Sequence, residues 1–232
     1  MAAEPRFCEL TITDPYKMDA YRALQNLSGV GVDEEVIALE SFNHLIRTRS
    51  SGMRAMNTDG KGMVRSIAAH RGLAGHKALI IGAGGAARSI GYELLKAGCR
   101  LHIGNAFDAE REECVERLYA SFPEGDIESS DFSRLATAAL EAQILVNTVS
   151  EGCPKEILLA PLEKRRPLVA ETLYAGKEQF REFAAEHGLP YVGGREMLFG
   201  QFEIAVEELA LTSPASKKHR LAMTNLQKLS SL

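Results

Sequence analysis

The residues best suited to chemistry begin with a glycine-rich turn, Gly82-x-Gly84-x-x-Ala87, inside "IIGAGGAARSIG". This is the G-x-G-x-x-A form of a dinucleotide fingerprint. Gly82 permits a tight turn, Gly84 lets a pyrophosphate approach the backbone, and small Ala87 lets helix and strand pack closely. The helix that follows offers free N–H donors and the positive end of its dipole. A strand before the turn and a helix after it supply the context such a fingerprint needs. Flavin-binding chains and methyltransferases that use S-adenosylmethionine also carry glycine-rich turns, so the reaction has to be read elsewhere. The group that separates NAD from NADP stands about twenty residues on, a carboxylate for the first and an arginine for the second. Here that stretch is Asn105-Ala106-Phe107-Asp108; Asn105 is not acidic, and the next arginine is Arg111.

Three further polar stretches stand beside or within predicted strands. "TITDPYK" puts Lys17 just after a strand and a proline, "SFNHL" puts Asn43 in a strand-like run, and "NTDGKG" puts Asn57, Thr58 and Asp59 before a helix. Singly, each has a plain structural reading: a solvated lysine, an edge-strand amide, a turn with a helix cap.

The elements that must position these groups alternate along the chain. A strand over 7–13 ends at Asp14-Pro15, and Tyr16, Ala20, Leu24 and Leu27 give 16–27 a helical spacing. Residues 36–60 read as two strands about the "RSSG" turn, and 60–73 as a helix. Beyond them come a strand over 78–82, a helix over 85–97 closed by Gly98, a strand over 100–105 and a helix over 108–122. Strands over 142–148 and 166–174, a helix over 177–188, a short strand over 189–194 and a long helix over 196–211 complete the series. After "TSPASKKHR" a terminal helix is predicted over 221–229. Repeated βα units imply a parallel, doubly wound sheet, hence an α/β protein.

Composition bounds the partners. A chain of 232 residues holds one or two domains with a real core. A net charge of −4 argues against a general nucleic-acid binder, and the short cluster Lys217, Lys218, His219, Arg220 reads as a solvated turn. Cys8, Cys99, Cys114 and Cys153 form no CxxC pair and no metal-ligand spacing, so reduced thiols and no metal are expected. The N-terminus lacks a signal-peptide pattern, and no apolar run approaches the roughly 18 residues of a membrane helix. A cytoplasmic location is the expectation.

In order and spacing, the polar stretches resemble the shikimate dehydrogenase family. The family's Val-Thr-x-Pro-x-Lys looks like Ile12 to Lys17, and its Gly-Ala-Val-Asn-Thr looks like Glu40 to His44. Its Asn-Thr-Asp-Gly is intact at Asn57 to Gly60, and its Gly-Ala-Gly-Gly-Ala turn at Gly82 to Ala86. Its methionine, leucine and glutamine element looks like Met197, Leu198 and Gln201. The resemblance implies a Rossmann dinucleotide domain over 75–193 and a shortened α/β substrate domain over 1–70, joined by the C-terminal helices of 195–232. It implies reduction of 3-dehydroshikimate to shikimate with NADPH, a step of aromatic amino acid biosynthesis. Carried over, Lys17 and Asp59 are the catalytic pair, and Thr13, Asn43, Tyr174 and Gln201 bind substrate. Gly82, Ala83, Gly84, Gly85, Ala86, Asn105, Asp108, Thr148, Val149, Gly194 and Met197 hold the cofactor. The chemistry is coherent: hydride delivery to a ketone needs a proton donor at the developing alkoxide. A lysine, with a reference pKa of about 10.4, serves as an oriented, charge-assisted donor.

Departures shape the remaining expectations. The family's opening β-α-β-α stretch, whose Ser-x-Ser pair binds the substrate carboxylate, has no counterpart before the lysine strand. Two lost hydrogen bonds to a charge weaken binding by roughly 10²–10⁴-fold unless another segment, a homodimer or a completing partner chain supplies them. His44 replaces a threonine, and Asn105-Ala106-Phe107 replaces Asn-Arg-Thr, whose arginine grips the 2′-phosphate, so NAD becomes admissible beside NADP. Asn147 to Cys153 replaces Asn-Ala-Thr-x-x-Gly-Met and sets Glu151 near the nicotinamide end, while Glu171 replaces an aspartate ahead of Tyr174. The partner expected is a small-molecule substrate, with no nucleic acid and no membrane. The rival expectation is a nucleotide-binding regulatory homologue without turnover, or a subunit completed by another chain.

Overall fold

A computed structural model describes residues 9–13, 16–48 and 52–212. They divide into two compact units: the described residues up to Asp59 with those from Gln201 onward, and Gly60–Gly200.

The first unit is built on a four-stranded sheet. Strands β1 (Glu9–Thr11), β2 (Val30–Val32), β3 (His44–Arg47) and β4 (Met53–Met56) lie in the order β1-β3-β4-β2. The β1–β3 and β3–β4 pairs are antiparallel and β2–β4 is parallel. Helices α1 (Lys17–Leu24) and α2 (Glu34–Leu39) contribute Leu24 and Val36 to a core with Phe42 and Ala55. Ile46 and Met56 form a second cluster with Leu209 of the last helix.

The strand predicted from residue 36 is corrected here: Glu34–Leu39 is helical, and the strand starts only at His44. Val36-Ile37 imitates a strand, but extended Asp33 precedes a first turn carrying Glu34 and Glu35, which suits the helix dipole. Glu40, left-handed at φ 49°, ends the helix. The turn residues Arg49, Ser50 and Ser51 lie outside the described residues, as do 1–8, Asp14-Pro15, the basic cluster at 217–220 and the predicted terminal helix.

The second unit carries α3 (Asp59–Ala68), which begins one residue before it, then β5 (Lys77–Ile81), α4 (Gly85–Lys96), β6 (Arg100–Gly104) and α5 (Asp108–Ser121). It continues through β7 (Ile127–Ser130), α6 (Leu135–Glu141), β8 (Ile144–Asn147), α7 (Lys155–Arg165), β9 (Leu168–Glu171), α8 (Arg181–Glu186) and β10 (Tyr191–Val192). Helix α9 (Gly194–Thr212) follows. Its six strands run β10-β9-β8-β5-β6-β7, every neighbouring pair parallel. Counted from β5 this is the 3-2-1-4-5-6 order of the dinucleotide-binding fold. The expected Rossmann α/β class is therefore the observed one. Every residue of β5 and β8 is buried, as a parallel sheet covered on both faces requires. Leu79, Ile81 and Leu145 pack against Leu135, Leu158, Leu162 and Phe180.

The sequence pattern marks no element over β7, α6 or α7. "IESS" has one apolar residue, and Pro161 sits inside α7, where its missing N–H and fixed φ argue against a helix. Helix α8 is shorter than the 177–188 expected. Among the described residues no helix is long and apolar enough to cross a membrane.

Candidate active site

Asp59 opens α3 just beyond β4, and local hydrogen bonds fix that turn. Asn57 Oδ1 accepts from the Asp59 N–H at 3.1 Å, while Asn57 Nδ2 donates to the Ser41 carbonyl at 3.2 Å. Asn43, 2% exposed, meets the same turn from the start of β3. Its Oδ1 accepts from the Thr58 N–H at 2.8 Å. Its Nδ2 donates to Thr58 Oγ1 and to Asp59 Oδ1, both at 3.0 Å. The other carboxylate oxygen, Oδ2, lies 2.5 Å from Nζ of Lys17, the first residue of α1. Asn43 thus holds one oxygen of Asp59 and Lys17 the other.

The side chains of Lys17 and Asp59 are 23% and 10% exposed. An ammonium has three protons, and the Asp59 bond engages one, so Nζ can also donate to a ligand. The expected pair Lys17 and Asp59 therefore adjoins Asn43 in one hydrogen-bonded set. Asn57 and Thr58 complete that set. The "NTDG" run carried the signal for both, but Thr58 is held by Asn43 from fifteen residues away and Asn57 by the Ser41 carbonyl from sixteen. Thr13 is exposed beyond β1, and Gln201 is partly buried on α9. Tyr174, 51% exposed, follows β9 in the other unit. His44 is a structural group: its Nδ1 lies 2.6 Å from Glu9 Oε1 across the β1–β3 pair. That hydrogen bond holds the Glu9 carboxyl below its ordinary range.

The glycine turn occupies the carboxyl end of β5. Gly82 has φ +106°, and a Cβ there would strike Thr148 Oγ1, which donates to the Ile81 carbonyl at 2.8 Å. Gly84 is the extended N-cap of α4 and supplies no capping side chain. The Cβ positions of Gly84 and Gly85 face open space, and both residues are exposed. The first-turn N–H groups of a 12-residue helix are thus left for an anion, which fits a pyrophosphate. Ala83 and Ala87 are buried, and Ala86 is half-buried.

The neighbouring loops are fixed from within the same unit. The Val149 N–H donates to Asn147 Oδ1 at 3.1 Å, and Gln179 Nε2 to the Val149 carbonyl at 3.0 Å. Buried Glu171 accepts from the backbone N–H groups of Gln179 and Phe180 and from the Tyr191 hydroxyl, at 2.8, 3.1 and 2.7 Å. Burial, then the bond to Glu171, raises the Tyr191 hydroxyl well above its ordinary pKa. Gly194 sits tight on the Thr172 and Leu173 carbonyls, and Met197 is buried at 7%. Asn105 is buried at the end of β6, and Glu151 is exposed. Burial pushes the thiols of Cys99 and Cys114 up to about 11 and that of Cys153 to about 12, so none is a ready nucleophile.

No protein-family model matches the chain. A shikimate dehydrogenase (NADP(+)) of Janthinobacterium sp. (strain Marseille) is 33% identical over 200 residues, covering 83% of this chain and 68% of the relative. One of Anaeromyxobacter sp. (strain K) is 32% identical over 201 residues, covering 86% and 70%. Among solved structures, the quinate dehydrogenase of Corynebacterium glutamicum in complex with NAD superposes with a TM-score of 0.73 at 20% identity. The match covers 95% of this chain and 78% of that one, a likeness of fold.

Proposed function

Because the chain belongs to the shikimate dehydrogenase family, we propose that it transfers a hydride between a nicotinamide dinucleotide and a shikimate-type cyclic polyol acid, with Lys17 and Asp59 managing the proton. The observation that carries this reading is the Lys17–Asp59 pair, locked on its far side by Asn43. A nicotinamide dinucleotide, when bound, supplies or accepts the hydride. Gly84, Gly85 and the first turn of α4 hold its pyrophosphate, and Thr148 and Val149 line the adjoining strand end.

In the reducing direction, negative charge grows on the substrate's carbonyl oxygen. Lys17 Nζ donates a hydrogen bond and then a proton to that oxygen. Asp59 keeps the ammonium aimed and stabilises its charge. In the oxidising direction the hydroxyl proton leaves by the same path through Lys17 Nζ, whose partial exposure lets that proton exchange with water. Asn43 fixes Asp59 so that Oδ2 stays turned to Lys17. Asn43 and Gln201 are assigned to the substrate's ring hydroxyls, and Thr13 and Tyr174 are assigned as further substrate contacts. A regulatory homologue has use for the glycine turn but none for a locked lysine–aspartate pair, so the dehydrogenase is the better reading.

Replacing Lys17 tests it. Shikimate oxidation by Lys17→Ala should show kcat lowered about 10²–10⁴-fold, the range general acid–base catalysis supplies. Nucleotide affinity, measured in parallel, should be unchanged. An unaltered kcat would remove Lys17 from the mechanism.

A further inference from the structure

We infer that this chain takes NAD(H) in preference to NADP(H) and that Glu110 and Asp108 make the choice; the inference rests on the nucleotide-binding reading above. In a sheet of this strand order the adenosine ribose lies at the carboxyl end of the second strand. A carboxylate there accepts a hydrogen bond from a 2′-hydroxyl, whereas an arginine pairs with a 2′-phosphate. The second strand is β6, which ends at Gly104, and Asn105-Ala106-Phe107 lead into α5 at Asp108.

Ala106 brings no charge to this turn, and the acids come first. The Asp108 side chain is 73% exposed in the first turn of α5. Glu110, two residues further, is also exposed. Glu110 Oε2 accepts from Asn105 Nδ2 at 3.1 Å, so a neutral donor draws this carboxylate to the strand end.

The arginines of the region are already engaged. Arg111 lies 2.7 Å from Asp108 Oδ1 and donates to the Asn105 carbonyl at 3.1 Å, with its side chain 14% exposed. Arg88 of α4 pairs with Glu113 at 2.8 Å. Arg134 lines a separate cavity with His102, Glu128 and Glu141. A 2′-phosphate, with close to two negative charges near neutral pH, would have to draw Arg111 from Asp108 and approach Glu110 against like charge. A 2′-hydroxyl needs only an acceptor, and Glu110 provides one.

Dissociation constants of the full chain, measured by titration calorimetry, test this without turnover. NADH should bind about tenfold or more tightly than NADPH, and ADP should exceed 2′,5′-ADP by a similar factor, which places the effect on the 2′-position. Glu110→Gln should narrow the gap, and Ala106→Arg with Glu110→Gln should reverse it. Equal or tighter binding of NADPH by the unaltered chain would overturn the inference while leaving hydride transfer standing. Binding of neither nucleotide would overturn the nucleotide reading and this inference with it.

Discussion

Asn43 presents both halves of its amide to one turn, and each bond has a consequence. Its Oδ1 satisfies the Thr58 N–H, and its Nδ2 holds Asp59. Asn43→Ala strands a buried donor and frees the carboxylate. Urea unfolding should show a loss of about 1–3 kcal/mol, the cost of an unmet buried group. Turnover should fall beyond what stability explains, because Asp59 no longer holds Lys17 in one direction. If kcat stays unchanged in the folded variant, Asn43 is a fold residue only. At this scale the sequence was informative about identity and silent about linkage. Lys17, Asn43 and Asp59 stood out through their order, yet nothing in that order says that one asparagine amide bridges Thr58 and Asp59. The Glu9–His44 contact was equally hidden, because cross-strand register decides it.

The elements place these residues through a few positions where only glycine fits. Gly82 combines φ +106° with a side-chain wall formed by Thr148. Gly82→Ala should destabilise the chain by about 1–3 kcal/mol from the backbone alone, with more from the clash, read as a shift in the denaturation midpoint. Nucleotide affinity should drop with it. In Gly60, at the start of α3, an added Cβ would run into the Ser89 backbone carbonyl, to whose hydroxyl the Gly60 N–H donates at 2.8 Å. Gly60→Ala should therefore cost about 1–3 kcal/mol by forcing α3 away from that contact. A midpoint equal to that of the unaltered chain would contradict the packing described. Periodicity disclosed β5, α4, β6 and α5, and later β8 and β9, where short apolar runs such as Ala78–Ile81 and Ile144–Val146 leave little choice. It failed at α2, where Val36-Ile37 reads as strand but acidic residues at the helix start prevail. It also failed at α7, where Pro161 is tolerated inside a helix that Leu158 and Leu162 anchor to the core.

For the molecule as a whole, stability should fall on acidification, with a first decline before the ordinary carboxylate range. His102 lies on β6 with Nε2 2.9 Å from Ser130 Oγ, and burial lowers its pKa below the ordinary 6.5. The unfolded chain therefore takes up that proton first. Stability from His102 is whole above about pH 6.5 and declines as pH falls toward the folded value. The Glu9 carboxyl, also lowered, adds stability that is present above about pH 4.3 and lost below it. Denaturation midpoints followed against pH should show both declines, and His102→Gln should remove the upper one. Fold class at this scale was legible because strand and helix alternate in order. The preference at the ribose was half legible: Ala106 marked a missing cation, but only the geometry shows Asp108 engaging Arg111 and Asn105 drawing in Glu110. The central claim, that the whole chain performs hydride transfer on a shikimate-type acid, is tested most directly by mixing it with shikimate or quinate and each of NAD⁺ and NADP⁺, and following nicotinamide absorbance. Reduced nucleotide should accumulate with shikimate, faster with NAD⁺ at equal low concentrations. Nucleotide binding with no reduction in any of the four mixtures would contradict that claim.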